Sequence, residues 1–285
     1  MEGIIVKIIS NQCFVKNDKE VIVCSFRGNM RRQAMLPLVG DNVLFDKEKK
    51  VVLEILDRRN SIRRPPVANI TQAIIVTSLV CPDFSTNLID KLLIELEFNN
   101  IKPFICLTKK DLISDSDYHN YEKDINYYQS IGYKVFFNTE LDKIKEIFKG
   151  ERTVLVGQTG AGKSTLLNKL MPELNIKTCE VSAALGRGRH TTRHIEIYDL
   201  FDGELLDTPG FSALDFQNMT KKEVRDSFIE FRNFPCPYRD CLHLNEGECE
   251  VKKAVSEGLI AKFRYDNYCS LVENALSDSD EYKRK

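Results

Sequence analysis

The chain has no apolar run of the roughly 18 residues that a membrane-spanning helix needs. Its opening MEGIIVKIISNQ lacks the basic flank, long apolar core and small-residue cleavage site of a signal peptide, so a cytosolic protein with reduced thiols is expected. No internal repeat is present, and net charge is nearly absent, at −1 over 285 residues. What remains is ordinary for a soluble globular chain of two or three domains, with 42% hydrophobic and 29% charged residues.

The near-zero net charge hides a division. Residues 1–68 hold 13 Lys and Arg against 8 Asp and Glu, a charge of +5. Residues 69–215 come to −5 and residues 216–285 to −1. A basic first segment either faces a polyanion or is a solvated face.

Alternation and β-branched residues predict strands over residues 3–9, 13–16, 21–26, 42–46 and 51–55. Five strands in so short a span predict a small barrel such as an OB-fold. Arg27, Arg31 and Arg32 cluster between two of them, and Arg58, Arg59, Arg63 and Arg64 crowd the exit. Pro65-Pro66 then marks a domain boundary. From residue 69 strands and helices alternate: strands at 73–79, 103–108, 134–137 and 152–156, helices at 88–99, 118–130, 141–148 and 164–170. That pattern means an α/β layered domain. Strands at 195–201 and 204–206 meet at Asp202-Gly203, a type I′ turn signal. Helices at 221–231, 250–257 and 261–276 make a small tail domain, and the charged residues 277–285 are expected to be disordered.

Residues 157–165, GQTGAGKST, fit the phosphate-binding loop of nucleotide hydrolases between a predicted strand and helix. Gly160 and Gly162 let the backbone curl so that consecutive N–H groups face the β-phosphate, Gly157 and Ala161 belong to the same binding loop, and Lys163 supplies a charge to the β- and γ-oxygens. Ser164, followed by Thr165, offers a hydroxyl to Mg²⁺. Downstream, DTPG places Asp207 where a carboxylate holds Mg²⁺ through water, and Gly210 where an N–H senses the γ-phosphate. Between them LGRGRHTTR looks like a mobile switch. Thr192, or its neighbour Thr191, is the candidate Mg²⁺ ligand; a basic loop touching RNA is the other reading.

Thr108, Lys109 and Asp111 follow an apolar strand, where a nucleotide hydrolase reads its base. Asp111 can accept from both guanine donors N1 and N2, and Lys109 can lie along the ring. Adenine offers no such donor pair, so this segment favours GTP over ATP. It precedes the phosphate loop, whereas the ordinary order is the reverse: the domain is circularly permuted. Further on, Cys236, Cys241, His243 and Cys249 supply three thiolates and an imidazole, a closed set for one structural Zn²⁺ or else a group of buried thiols.

Barrel, permuted motif order, GRGRHTT, DTPGF and the Cys/Cys/His/Cys tail together resemble the RsgA (YjeQ) family, bacterial GTPases dependent on the small ribosomal subunit. The resemblance implies a multidomain α/β fold: an OB-fold over 1–68, a circularly permuted P-loop GTPase domain over 69–215 and a zinc-binding helical domain over 216–285. It implies GTP and GDP, Mg²⁺ and Zn²⁺ as ligands, and the 30S subunit with its 16S rRNA as partner. It also implies a cytoplasmic monomer without membrane or DNA contacts, whose hydrolysis the subunit stimulates late in maturation. Catalysis would rest on Lys163, Thr192 and His190, the last matching a histidine proposed to orient water, since Phe211 stands where many GTPases lead toward a glutamine. Thr108 departs from the usual asparagine, and Glu246-Gly247-Glu248 lacks a common proline. Two other classes stay open: an RNA-binding assembly module whose nucleotide only tunes affinity, and an ATPase with an accessory zinc domain.

Overall fold

The computed structural model describes residues 1–18, 20–27, 36–62, 66–172, 195–207 and 219–275. Arg31, Arg32, Arg63, Arg64, the expected switch loop and the charged tail lie outside these residues. The chain forms two compact units, each made of two stretches: residues 1–74 with 139–212, and residues 75–138 with 213–285. Among the described residues no helix is long and apolar enough to cross a membrane.

The first unit begins with the five expected strands: β1 (Glu2–Ile9), β2 (Gln12–Asn17), β3 (Glu20–Phe26), β4 (Asn42–Asp46) and β5 (Val51–Ile55). Strand β2 pairs antiparallel with β1 and β3, β5 pairs parallel with β3 and antiparallel with β4, and β4 returns to β1. The sheet is thus closed, with order 1-2-3-5-4-1 and no free edge inside the ring. Alternation sets the interior, as in β3, where Ile22 and Cys24 point in and Val21 and Val23 point out. Ile5, Val15, Val43, Phe45 and Val52 complete the core, each large apolar side chain contributing about 1.5–3 kcal/mol by burial.

A bulge between Ile5 and Lys7 bends β1, and Ile5 and Val6 are buried in succession. Past it, Lys7 pairs with Glu196 of strand β12 (Glu196–Leu200) and forms an ion pair with it at 2.7 Å. Strand β12 pairs antiparallel with β13 (Gly203–Asp207), which runs parallel to β11 (Arg152–Val156). The hairpin turn falls one residue earlier than Asp202-Gly203. Phe201 and Asp202 take the positive φ of its central positions, 50° and 57°, and Gly203 opens β13 opposite Leu200. Gly203 is there for proximity, since a Cβ on it would lie 1.8 Å from the Phe148 carbonyl oxygen.

Two short strands, β6 (Ser61–Ile62) and β7 (Val67–Ala68), pair antiparallel, and strand β8 (Gln72–Ser78), buried along its whole length, leads into the second unit. There β10 (Lys134–Phe137) runs parallel to β9 (Lys102–Thr108). Helices α1 (Thr86–Phe98) and α2 (Asp115–Ser130) start at serine caps, Ser85 and Ser114. The expected helix over 221–231 is broken. A capping box of Thr220 and Glu223 starts α5 (Lys221–Asp226), the Ser227 hydroxyl bonds back to the Glu223 carbonyl, and Phe228 turns extended into the core. A 3-10 turn over Ile229–Asn233, α6 (Glu250–Ser256) and α7 (Lys262–Glu273) follow. Phe228, Phe231, Val251, Tyr268 and Val272 pack there with Ile94 of α1.

Candidate functional site

Helix α3 (Leu141–Glu146) precedes strand β11, which runs into the glycine-rich loop from Gly157, and helix α4 (Lys163–Leu170) is capped by Gly162. Gly160 and Gly162 have φ of 82° and 97°, left-handed values that a side chain resists. Such turns present successive N–H groups as an anion nest, reinforced by the dipole of α4. Ala161 is buried beneath the loop, Ser164 is half-buried at the first turn and Thr165 is exposed. The Lys163 ammonium donates to the carbonyls of Gly157 and Gln158, the latter at 2.8 Å. No carboxylate is among these partners, and burial draws the Lys163 pKa down to about 8. Asp207 ends β13, but its side chain, like His190, Thr191, Thr192 and Gly210, lies outside the described residues.

The expected base-reading segment, Thr108 to Asp111, belongs to the second unit. Thr108 ends β9, buried, with its hydroxyl 3.4 Å from the Thr77 carbonyl and its own carbonyl accepting from Leu79 N–H at 3.2 Å. Lys109 is left-handed, at φ 61°, and its ammonium donates to the Cys81 carbonyl. Asp111 stands exposed in a 3-10 turn, while Lys110 lies 4.2 Å from the Tyr118 ring centre. Of the three predicted readers, only the Asp111 carboxylate faces solvent with acceptor capacity.

The metal candidates converge. Ligand atoms of Cys236, Cys241, His243 and Cys249 lie within 4.8 Å of one another. His243 Nδ1 is 3.3–3.4 Å from each sulfur, and the Cys236 and Cys249 sulfurs are 3.7 Å apart. A tetrahedron with Zn–S of about 2.3 Å and Zn–N of about 2.0–2.1 Å requires roughly 3.8 Å between sulfurs and 3.5 Å from sulfur to nitrogen. The donor set fits zinc. Burial raises the Cys241 and Cys249 thiols and lowers the His243 imidazole, so a cation is what would draw these sulfurs to thiolates.

Sequence reasoning missed what holds this knuckle. His243 sits at φ 58°, and Glu246 accepts from the N–H groups of Leu242 and Leu244 at 2.7 and 2.8 Å. Tyr265 of α7 donates to the His243 carbonyl at 2.6 Å, Tyr268 to that of Leu242, and Arg225 to that of Cys241 at 3.1 Å. The Cys249 sulfur also caps α6, accepting from Lys252 N–H. The only available signal was helical spacing of Tyr265 and Tyr268, which reads equally as core.

Comparison with known proteins agrees with this layout. Residues 2–51 match the RsgA N-terminal domain, and residues 55–217 match the RsgA GTPase. A Listeria monocytogenes protein described as small ribosomal subunit biogenesis GTPase RsgA 2 is 44% identical, over 99% of this chain and 100% of its own. An Enterococcus faecalis RsgA is 43% identical over 100% and 99%. The solved structure of YloQ, a circularly permuted GTPase, covers 100% of this chain and 96% of its own, at TM-score 0.81 and 35% identity. YjeQ from Thermotoga maritima covers 95% and 97%, at TM-score 0.82 and 32% identity. With a closed five-stranded barrel, a glycine-rich loop between β11 and α4 and relatives that match from end to end, this chain belongs to the RsgA GTPase family and is a GTP hydrolase.

Proposed function

We propose that this GTPase serves biogenesis of the small ribosomal subunit, binding the 30S particle late in maturation and leaving it after hydrolysis. One observation carries the reading: relatives described as small ribosomal subunit biogenesis GTPases align with 99–100% of the chain, barrel and knuckle included, not with a nucleotide-binding part alone. The work is cytoplasmic, where subunits mature, and the protein acts as a monomer without DNA or membrane. The +5 charge of residues 1–68 suits 16S rRNA.

In this reading Gly157, Gly160, Ala161 and Gly162 turn backbone N–H groups to the phosphates, with Thr165 behind them, and Lys163 exchanges loop carbonyls for phosphate oxygens. Ser164, Asp207 and Thr192 hold Mg²⁺, which would neutralise charge across the phosphates. Gly210 senses the γ-phosphate and His190 orients the attacking water. Asp111 accepts from guanine, Lys109 lies along the ring and Thr108 anchors the strand end. Cys236, Cys241, His243 and Cys249 hold one structural Zn²⁺.

GTP turnover with and without 30S subunits tests the reading. Stimulation is expected, and its absence favours the assembly module whose nucleotide only tunes affinity. Asp111→Asn tests the base reader. GTP affinity should fall about tenfold or more, the worth of a charged hydrogen bond, while xanthosine triphosphate, with a carbonyl at position 2, should gain. Unchanged preference among GTP, ATP and the xanthosine nucleotide would remove Asp111 from the role.

A further inference from the structure

One turn of α7 touches both the zinc knuckle and the first turn of α1. Tyr265 and Tyr268 hold the carbonyls of His243 and Leu242, which flank and include a metal ligand. Between them Asn267 donates to the Asp90 carboxylate at 2.6 Å and the Thr86 hydroxyl at 3.3 Å, and accepts from the Asn87 amide at 3.4 Å. Arg264, one turn earlier, donates to Asp90 at 2.5 Å. The start of α1 is therefore fixed from α7.

The chain that leads into α1 is held at its other end. Residues 79–82, just before its Ser85 cap, frame the base-reading segment. Leu79 N–H reaches the Thr108 carbonyl at 3.2 Å, and the Lys109 ammonium reaches the Cys81 carbonyl. The Ser78 hydroxyl fastens this turn by donating to the Pro82 carbonyl at 2.6 Å. Every group in the series belongs to the second unit.

We propose that Asn267 is a positioning residue for guanine binding: by clamping Thr86 and Asp90 it holds the segment that frames Thr108 and Lys109, so that zinc in the knuckle and guanine at Asp111 favour each other. The inference rests on the base-reading and zinc roles proposed above. Neither ligand touches Asn267. Each selects the arrangement in which α7 is seated on α1, and selection by two ligands of one arrangement is reciprocal by thermodynamic necessity.

The test uses the full-length chain. GDP affinity is measured by calorimetry with zinc bound and after chelation, and zinc affinity by chelator competition with and without saturating GDP. Removing zinc should weaken GDP about fivefold or more, and withholding GDP should weaken zinc by the same factor. Asn267→Ala and Thr86→Val, with zinc still bound, should weaken GDP while helical circular dichroism and zinc content hold. The coupling factor should fall toward one in both.

Equal GDP affinity in the zinc-loaded and zinc-free chains, both folded, overturns the proposal. So does unchanged GDP affinity in both zinc-loaded variants, which decide alone if the zinc-free chain unfolds. Failure of the base-reading role looks different: Asp111→Asn would then leave guanine preference untouched, whatever zinc does.

Discussion

Arg152 in the first unit and Arg264 in the second are both buried, yet they are held by different partners. Arg152 donates to the Gly40 carbonyl at 2.7 Å, the Asn69 carbonyl at 3.4 Å and the half-buried Glu204 at 2.7 Å. Arg264, at 0% exposure, forks onto Glu230 at 2.7 and 2.9 Å and onto Asp90 at 2.5 Å, with its guanidinium 4.4 Å from the Phe228 ring centre. Lys163 completes the series, with the loop carbonyls of Gly157 and Gln158 as its partners among the described residues. A buried cation ion-paired to a carboxylate, as both arginines are, is part of the frame, whereas one held by loop carbonyls keeps its charge for an anion. The shifts follow: the carboxylates push Arg264 above its ordinary value against burial, and burial alone pulls Lys163 down.

The sharpest way to break this contrast is to remove each cation. Arg264→Leu leaves two buried carboxylates unpaired and should cost about 3–5 kcal/mol in urea unfolding. Its cost should also depend on pH. Burial, the largest influence, already raises the Asp90 pKa above the usual carboxylate value, with Arg264 opposing. A carboxyl raised in the folded state contributes stability at low pH that is lost as pH rises through the folded value. Without Arg264 that loss moves to higher pH, so the variant should be less destabilised at pH 5 than at pH 8.

Arg152→Leu should cost less, about 1–3 kcal/mol, because its acceptors are mostly carbonyls and its carboxylate is reached by water. Equal costs for the two would end the distinction. Lys163 gives the smallest effect. With the free ammonium titrating at about 8, GTP affinity should fall by at most about tenfold between pH 7 and 9. A flat profile would mean that burial does not weaken this cation.

The local parts of this molecule were legible in advance. β4, β5, β10 and β11 fall on their expected residues, because alternation or an unbroken apolar run needs only neighbours to be read. The glycine-rich loop between strand and helix, and the grouping of Cys236, Cys241, His243 and Cys249, were legible from spacing. What failed was tertiary. The break at Ser227-Phe228 follows from a core position for Phe228 that helical periodicity could not reveal. Gly203 read as a turn residue because the Phe148 carbonyl against it is 55 residues away in sequence. The ion pair of Asp90 and Arg264 joins residues 174 apart, and both types read as surface.

Strand β1 has one more consequence. It takes β2 on one edge, and on the other first β4 and then, past the bulge, β12. Deleting residues 1–9 would therefore open the barrel and strip β12 of a neighbour in a single cut. Three raw strand edges, on β2, β4 and β12, would then be left unpaired, each a template for another chain. Such a shortened protein should be lost to aggregation before any loss of nucleotide chemistry could be measured.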